Sequence, residues 1–276
     1  MLLEILKTLW QRIRLNDTIE RSYAVAFHLT LTIFPAIIFI FTLIPYIPIS
    51  ELIPKIIEFL KGIFPPTVYE ALSPIIQNTL NKQRSGLLSF GVMYALYLSS
   101  NGMMSLLKNF DLADPSPPDA QRSYFQQRVI ATLLTLTLIV GLLSALLLLA
   151  AIHQLADYMV QHAYLSSKMQ IAIFTLGYPV IIFLLFFVAI AGIYYFAPAN
   201  KQQRKLISIG ALVSTIACIG ASGAFSYYIT NFTKYGLYGS LGVMIALMLW
   251  LFLLSFILLV GFELNITLKN VLEKRY

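Results

Sequence analysis

Residues Tyr238 to Asn265 read YGSLGVMIALMLWLFLLSFILLVGFELN, and the 21 residues from Leu241 to Gly261 carry no charge. At about 1.5 Å per residue, about 20 apolar residues cross a hydrocarbon core of about 30 Å. The segment is read as a membrane-spanning helix. Its ends hold more than apolarity requires: Gly236, Gly239 and Gly242 at the entry, Trp250 inside, and Gly261-Phe262-Glu263-Leu264-Asn265 at the exit.

The same pattern repeats along the chain. Hydrophobic residues make up 59% of 276 positions and charged residues 11%, against roughly 25% charged in soluble domains. That composition excludes a soluble fold. Six spans are expected: about 24–47, 87–107, 129–152, 171–197, 206–229 and the segment quoted above. The fold class is all-α, a polytopic six-helix membrane bundle. Residues 1–23 form an amphipathic N-terminal segment, 24–268 the membrane domain and 269–276 a tail. No cleavable leader is expected, because the charged N-terminus precedes a first apolar segment of full spanning length.

Between the spans, residues 2–14 place Leu2, Ile5, Leu6, Leu9 and Ile13 on one helical face, which predicts a surface helix with Trp10 at the headgroups. Asn16-Asp17 ends it. Residues 48–86 carry two amphipathic stripes separated by Pro65-Pro66 and are expected as a helix pair against the outer leaflet. Pro35 in the first span and Pro179 in the fourth predict kinks, since proline removes a backbone donor and crowds the preceding turn. In the fifth span Gly210, Ser214, Cys218 and Ser222 recur every fourth residue, a small-residue ridge that lets another helix approach closely and predicts a central position. Thr132, Thr135 and Thr137 are expected to bond back to their own helix. With the N-terminus inside, Lys and Arg number 13 on the inner side and 6 on the outer, so both termini are expected in the cytoplasm.

Two stretches carry a family resemblance. The glycine-rich entry, Trp250 and Gly261-Phe262-Glu263-Leu264-Asn265 at one end, with Ala24-Val25-Ala26-Phe27-His28 and Leu31-Thr32-Ile33-Phe34-Pro35 at the other, resemble the YihY/BrkB family of bacterial inner-membrane proteins. The likeness runs from about residue 10 to 268 and departs at His28, where the family usually has an aromatic. It implies an inner-membrane location and, through the family's link to envelope lipids and serum resistance, a role in lipid handling. An old ribonuclease label also attaches to the family.

Catalytic patterns are absent from the sequence. His28, His153 and His162 lie in different segments, no HExxH or paired-Cys pattern occurs, and Cys218 is the single cysteine. Asp111, Asp114 and Asp119 form the one close acidic group, in a Pro-rich loop, and read as solvated charge. No enzyme, metal or cofactor is expected. The scattered basic residues give no nucleic-acid patch.

Polar residues within spans point instead to a substrate path. His28, Asn101 and Glu263 fall by helical rise within roughly 10 Å of the inner boundary and would line one polar cavity. The structural alternatives are a boundary charge at Glu263 paired with Lys269, Arg21 or Arg128, an interhelical bond at Asn101, and a satisfied histidine at 28. The expected function is a transporter or flippase-like protein for an amphipathic or lipid-linked envelope substrate. Its partners would be membrane lipids and a second copy of the chain. The alternatives are a non-transporting envelope scaffold that uses the ridge as a contact face, and an ion-coupled exchanger.

Overall fold

The computed structural model describes residues 2–43, 88–115, 121–161, 177–200, 207–232 and 239–273. Among the described residues eight helices form in chain order: α1 Leu2–Leu15, α2 Thr18–Leu43, α3 Leu88–Ser99, α4 Asn101–Ala113, α5 Tyr124–Gln161, α6 Tyr178–Phe196, α7 Ile209–Phe232 and α8 Gly239–Glu273. The expected helix pair in 48–86 lies outside the described residues, as do His162 and the basic loop 201–206.

Among the described residues five stretches are long and apolar enough to cross a membrane: Thr18–Ile40, Tyr124–Ala145, Pro179–Phe196, Ile209–Ile229 and Met244–Leu272. The chain is an all-helical, multi-pass membrane protein. Within the stretch expected as the second span, residues 88–107 divide into two helices that meet at Ser100. The polar run Ser99-Ser100-Asn101-Gly102 supplies the reason. Ser99 and Ser100 turn their hydroxyls back onto the Leu96 and Tyr97 carbonyls at 2.8 Å each, and such side-chain bonds compete with the helical ladder. The helix that carries the third span is longer than expected, because α5 continues through His153 to Gln161. Thr132, Thr135 and Thr137 do bond back, to the carbonyls of Arg128, Ala131 and Leu133.

α8 is the axis of the bundle, packing against α7, α2, α1 and α4. Tyr23 of α2 stacks on Phe252 of α8 at 4.4 Å between ring centroids. α4 is the most enclosed helix, with Gly102 to Leu107, Asn109, Phe110 and Ala113 all buried. A Cβ at Gly102 would meet Leu29 Cδ2 at 2.6 Å and Thr32 Oγ1 at 2.9 Å, so the missing side chain sets how closely α2 and α4 approach.

The small-residue ridge of α7 faces α8. A Cβ at Gly210 would overlap the Gly261 carbonyl, one at Gly261 would overlap Ser214 Oγ, and Trp250 Nε1 donates to Ser222 Oγ at 3.2 Å. Ser214 and Cys218 are buried. The expected central place belongs to α8 and α4, while Leu212, Val213, Ile216, Tyr227 and Tyr228 leave a second face of α7 exposed. Such faces, with Leu133 and Val140 of α5 and Val180 and Val188 of α6, form an apolar exterior suited to lipid.

Overpacking a close helix contact costs about 1–3 kcal/mol or more. Gly261→Val is therefore expected to lower the unfolding temperature of the detergent-solubilised protein. Gly220→Val, where no described atom lies within 4 Å, should leave it nearly unchanged in the same thermal-shift measurement.

Candidate functional site

The exit of α8 turns almost every side chain to a different neighbour, because successive helical residues point about 100° apart. Gly261 admits α7. Phe262 stacks on Phe110 of α4 at 4.3 Å, and both rings lie against Tyr194 of α6. The Tyr194 hydroxyl, buried, donates to the Leu258 carbonyl at 2.7 Å and lies 2.8 Å from Ser214 Oγ. Asn265 caps α7: its Oδ1 accepts from Gly210 N–H at 2.8 Å and its Nδ2 donates to Ser208 Oγ at 3.0 Å. Ser208 Oγ in turn accepts from Ala211 N–H at 3.2 Å, the N-cap pattern.

Glu263 is 1% exposed. Arg12 Nε of α1 donates to its Oε2 at 2.7 Å, Asn16 Nδ2 donates to its Oε1 at 2.7 Å, and Arg21 Nη1 of α2 stands 3.9 Å away. The network reaches α4 as well. Arg12 Nη2 donates to the Ala113 carbonyl at 2.9 Å, and Arg21 Nε to Asn109 Oδ1 at 3.1 Å. Arg21 also donates to the Asn16 carbonyl at 3.3 Å. The turn that brings α1 back over the bundle needs a positive φ of 46° at Asp17, which aspartate tolerates better than most residues. α1 is thus docked on α8 along Arg12, with Leu3, Leu6 and Trp10 on its outward side.

The three residues expected to share one cavity do not share a bonding partner. Asn101 Oδ1 accepts from Arg128 Nη1 at 2.7 Å. Eight residues separate Asn101 from Asn109 along α4, about 12 Å at helical rise. His28 is exposed on α2, its Nδ1 2.7 Å from the Ala24 carbonyl, and since a carbonyl only accepts, that nitrogen carries the proton. Of the partners anticipated for Glu263, Arg21 is present, while Arg128 and Lys269 are not bonded to it. Pro35 lies inside the uninterrupted α2. Pro179 falls in the first turn of α6, where a missing N–H is tolerated, and residues 171–176 before it lie outside the described part.

Two of the acidic residues taken for solvated loop charge are structural. Asp111 is in the last turn of α4, half-buried, where its Oδ1 accepts from Ala199 N–H at 2.9 Å and its Oδ2 from Gln127 at 3.4 Å. Asp114 Oδ2 accepts from Asn200 Nδ2 at 2.9 Å. Arg122 closes the same corner by donating to the carbonyls of Ala197 and Pro198 at 2.8 Å and of Phe196 at 3.3 Å, which satisfies the end of α6. Burial pushes the Asp111 carboxyl above its usual range, against the opposing pull of the Ala199 amide and Arg122. Asp119 is outside the described residues. Among those that are described, no three of His, Cys, Asp and Glu come together.

The model of the family described as virulence factor BrkB matches residues 9–276. The chain belongs to the BrkB family. Among its relatives is YfkH of Bacillus subtilis, named a ribonuclease-like protein, 30% identical over 272 residues that cover 97% of this chain and 96% of YfkH. A UPF0761 membrane protein of Alteromonas mediterranea is 35% identical over 88 residues, 32% of this chain and 30% of its own length. One of Vibrio cholerae is 34% identical over 87 residues, 31% and 29% of the two chains. No solved structure matches this BrkB-family chain.

Removing one partner of a buried ion pair leaves the other uncompensated, at about 3–5 kcal/mol. Glu263→Gln in this BrkB-family protein is expected to lower the unfolding temperature sharply and to expose α1 to limited proteolysis, whereas Glu4→Gln on the exposed side of α1 should do neither. With its folded pKa raised, Asp111 contributes stability that is full below its unfolded pKa and lost as pH rises through the folded value. Asp111→Asn should therefore be more destabilising near pH 4, about the ordinary carboxylate range, than near pH 7, well above it; thermal shift at the two values checks it.

Proposed function

We propose that this protein is a non-catalytic transporter, flippase-like in action, for an amphipathic or lipid-linked envelope substrate. It would sit in the bacterial inner membrane with both termini in the cytoplasm. The observation that carries the reading is the charged seam at Glu263. Helix α1 closes over the ends of α2 and α4 and over α8 at Glu263, through Arg12, Asn16 and Arg21, and charged groups of this kind can exchange protein partners for water when a seam opens. Transport needs such an element with two arrangements. Pro35 adds a second support: it cannot donate to the Leu31 carbonyl, and a proline at such a place lets a continuous helix bend.

Other readings draw less support. The small-residue ridge that a scaffold would offer to partners is occupied by α8 of the same chain. The ribonuclease-like name of YfkH would call for acidic or histidine groups free to act in a hydrated cleft. Here Asp111 and Asp114 hold Ala199 and Asn200, and Glu263 holds two arginines.

The test is reconstitution into liposomes carrying a fluorescent phospholipid, with a membrane-impermeant quencher added outside. Wild-type protein is expected to bring inner-leaflet label within reach of the quencher, and Arg12→Gln to change that rate at equal protein content. Label that stays trapped as in protein-free vesicles would overturn the reading.

A further inference from the structure

Arg128 is a buried charged side chain outside the Glu263 network. It lies in the second turn of α5 and is 8% exposed. Its Nη1 donates to Asn101 Oδ1 at 2.7 Å, its Nη2 donates to the Tyr97 carbonyl, and its guanidinium carbon lies 3.5 Å from the centre of the Tyr97 ring. These partners are neutral. No described carboxylate pairs with it, and its buried Nε–H has no acceptor among the described residues.

A guanidinium does not shed its proton to escape burial, and a buried charge without a counter-charge is strongly unfavourable. The position makes this sharper, because Asn101 holds Arg128 about 12 Å deeper along α4 than the level of Asn109 and Glu263. Two of the five donors of the guanidinium are engaged. The Nε–H edge that remains is the fork that grips a phosphate or carboxylate oxygen pair.

The surroundings suit an anion with an apolar body. One turn before Arg128 on the same face of α5 stands Tyr124, exposed, with Lys108 Nζ 5.7 Å from its ring centre. Lys108 is the exposed residue in an otherwise buried stretch of α4. The seam between α4 and α5 therefore presents a lysine at its rim, an arginine below, and Tyr124 and Tyr97 beside them, both open on one side. Tyr124, beside the rim lysine, is of the kind typical of headgroup level.

We propose that Arg128, with Lys108 at the rim, holds the phosphate of an anionic phosphate-bearing ligand, either a phospholipid headgroup or free phosphate. The site depends on the membrane placement of the chain and not on transport.

The test uses the full chain in a non-ionic detergent with three probes: phosphatidylglycerol, diacylglycerol with the same acyl chains, and inorganic phosphate. Native mass spectrometry and the unfolding temperature are read for each. Phosphatidylglycerol should be retained and should stabilise, and diacylglycerol should do neither. Arg128→Gln should reduce retention about tenfold or more, and Lys108→Gln by about threefold. Stabilisation by inorganic phosphate alone, lost in the same variants, would assign the site to free phosphate, and its absence to the headgroup. Equal retention of the two lipids, or retention untouched by both substitutions, would overturn the proposal. Should Arg128→Gln fail to fold, Lys108→Gln decides, since that side chain is exposed. Vesicles that show no lipid movement while retention stays arginine-dependent would remove the transport reading and leave this site standing.

Discussion

A carboxylate that is 1% exposed in an apolar bundle has to be surrounded by donors, and Glu263 obtains them from outside its own helix. Arg12 comes from α1, Asn16 from the turn after it and Arg21 from α2. That requirement places α1, which its own sequence would leave lying on a membrane surface. It also explains the positive φ at Asp17, because the chain must reverse within two residues to bring both arginines to one side chain. The same guanidinium that holds Glu263 bonds the last carbonyl of α4 at Ala113. Three helix ends, those of α1, α2 and α4, meet at one negative charge on α8.

A second regularity concerns helix ends. Inside a membrane protein, backbone groups not taken by the helical ladder must find partners within the chain. Here long-range side chains supply them. Arg122 serves the end of α6, Asn265 and Ser208 serve the start of α7, and Arg128 serves the break between α3 and α4. Apart from Ser208, which caps its own helix, each side chain comes from a part of the chain distant in sequence, so that closing an end also fixes how two segments lie against each other. Arginine recurs because one planar fork reaches two or three carbonyls at once.

What could be read from the sequence follows from the range of the interactions. Spans announce themselves by local hydropathy, and the ridge of Gly210, Ser214, Cys218 and Ser222 by its four-residue step, which is a property of one helix. The back-bonding of Thr132, Thr135 and Thr137 was legible for the same reason. Partners were not. Glu263 and Arg12 lie 251 positions apart, and nothing local distinguishes Arg12 from the other basic residues that serve to orient a chain in a membrane. Asn101 was visible as an unusual polar residue, while Arg128, which gives it its role, looked like another loop charge. Asp111 and Asp114 were hidden by their setting, since a Pro-rich stretch suggests solvent whereas their bonds to Ala199 and Asn200 are tertiary. Ser100 marked its place but not its effect: a run of small polar residues fits both a site within a helix and an interruption of it.

The measurement that bears most directly on this account is a double-mutant cycle between Arg12 and Glu263, read by unfolding in mixed micelles with Arg12→Met, Glu263→Gln and the double variant. If the carboxylate holds α1 on α8, the two substitutions are coupled, with an interaction energy of about 1–3 kcal/mol for residues in one buried network. Additivity within about 0.5 kcal/mol, the behaviour of independent sites, would contradict it.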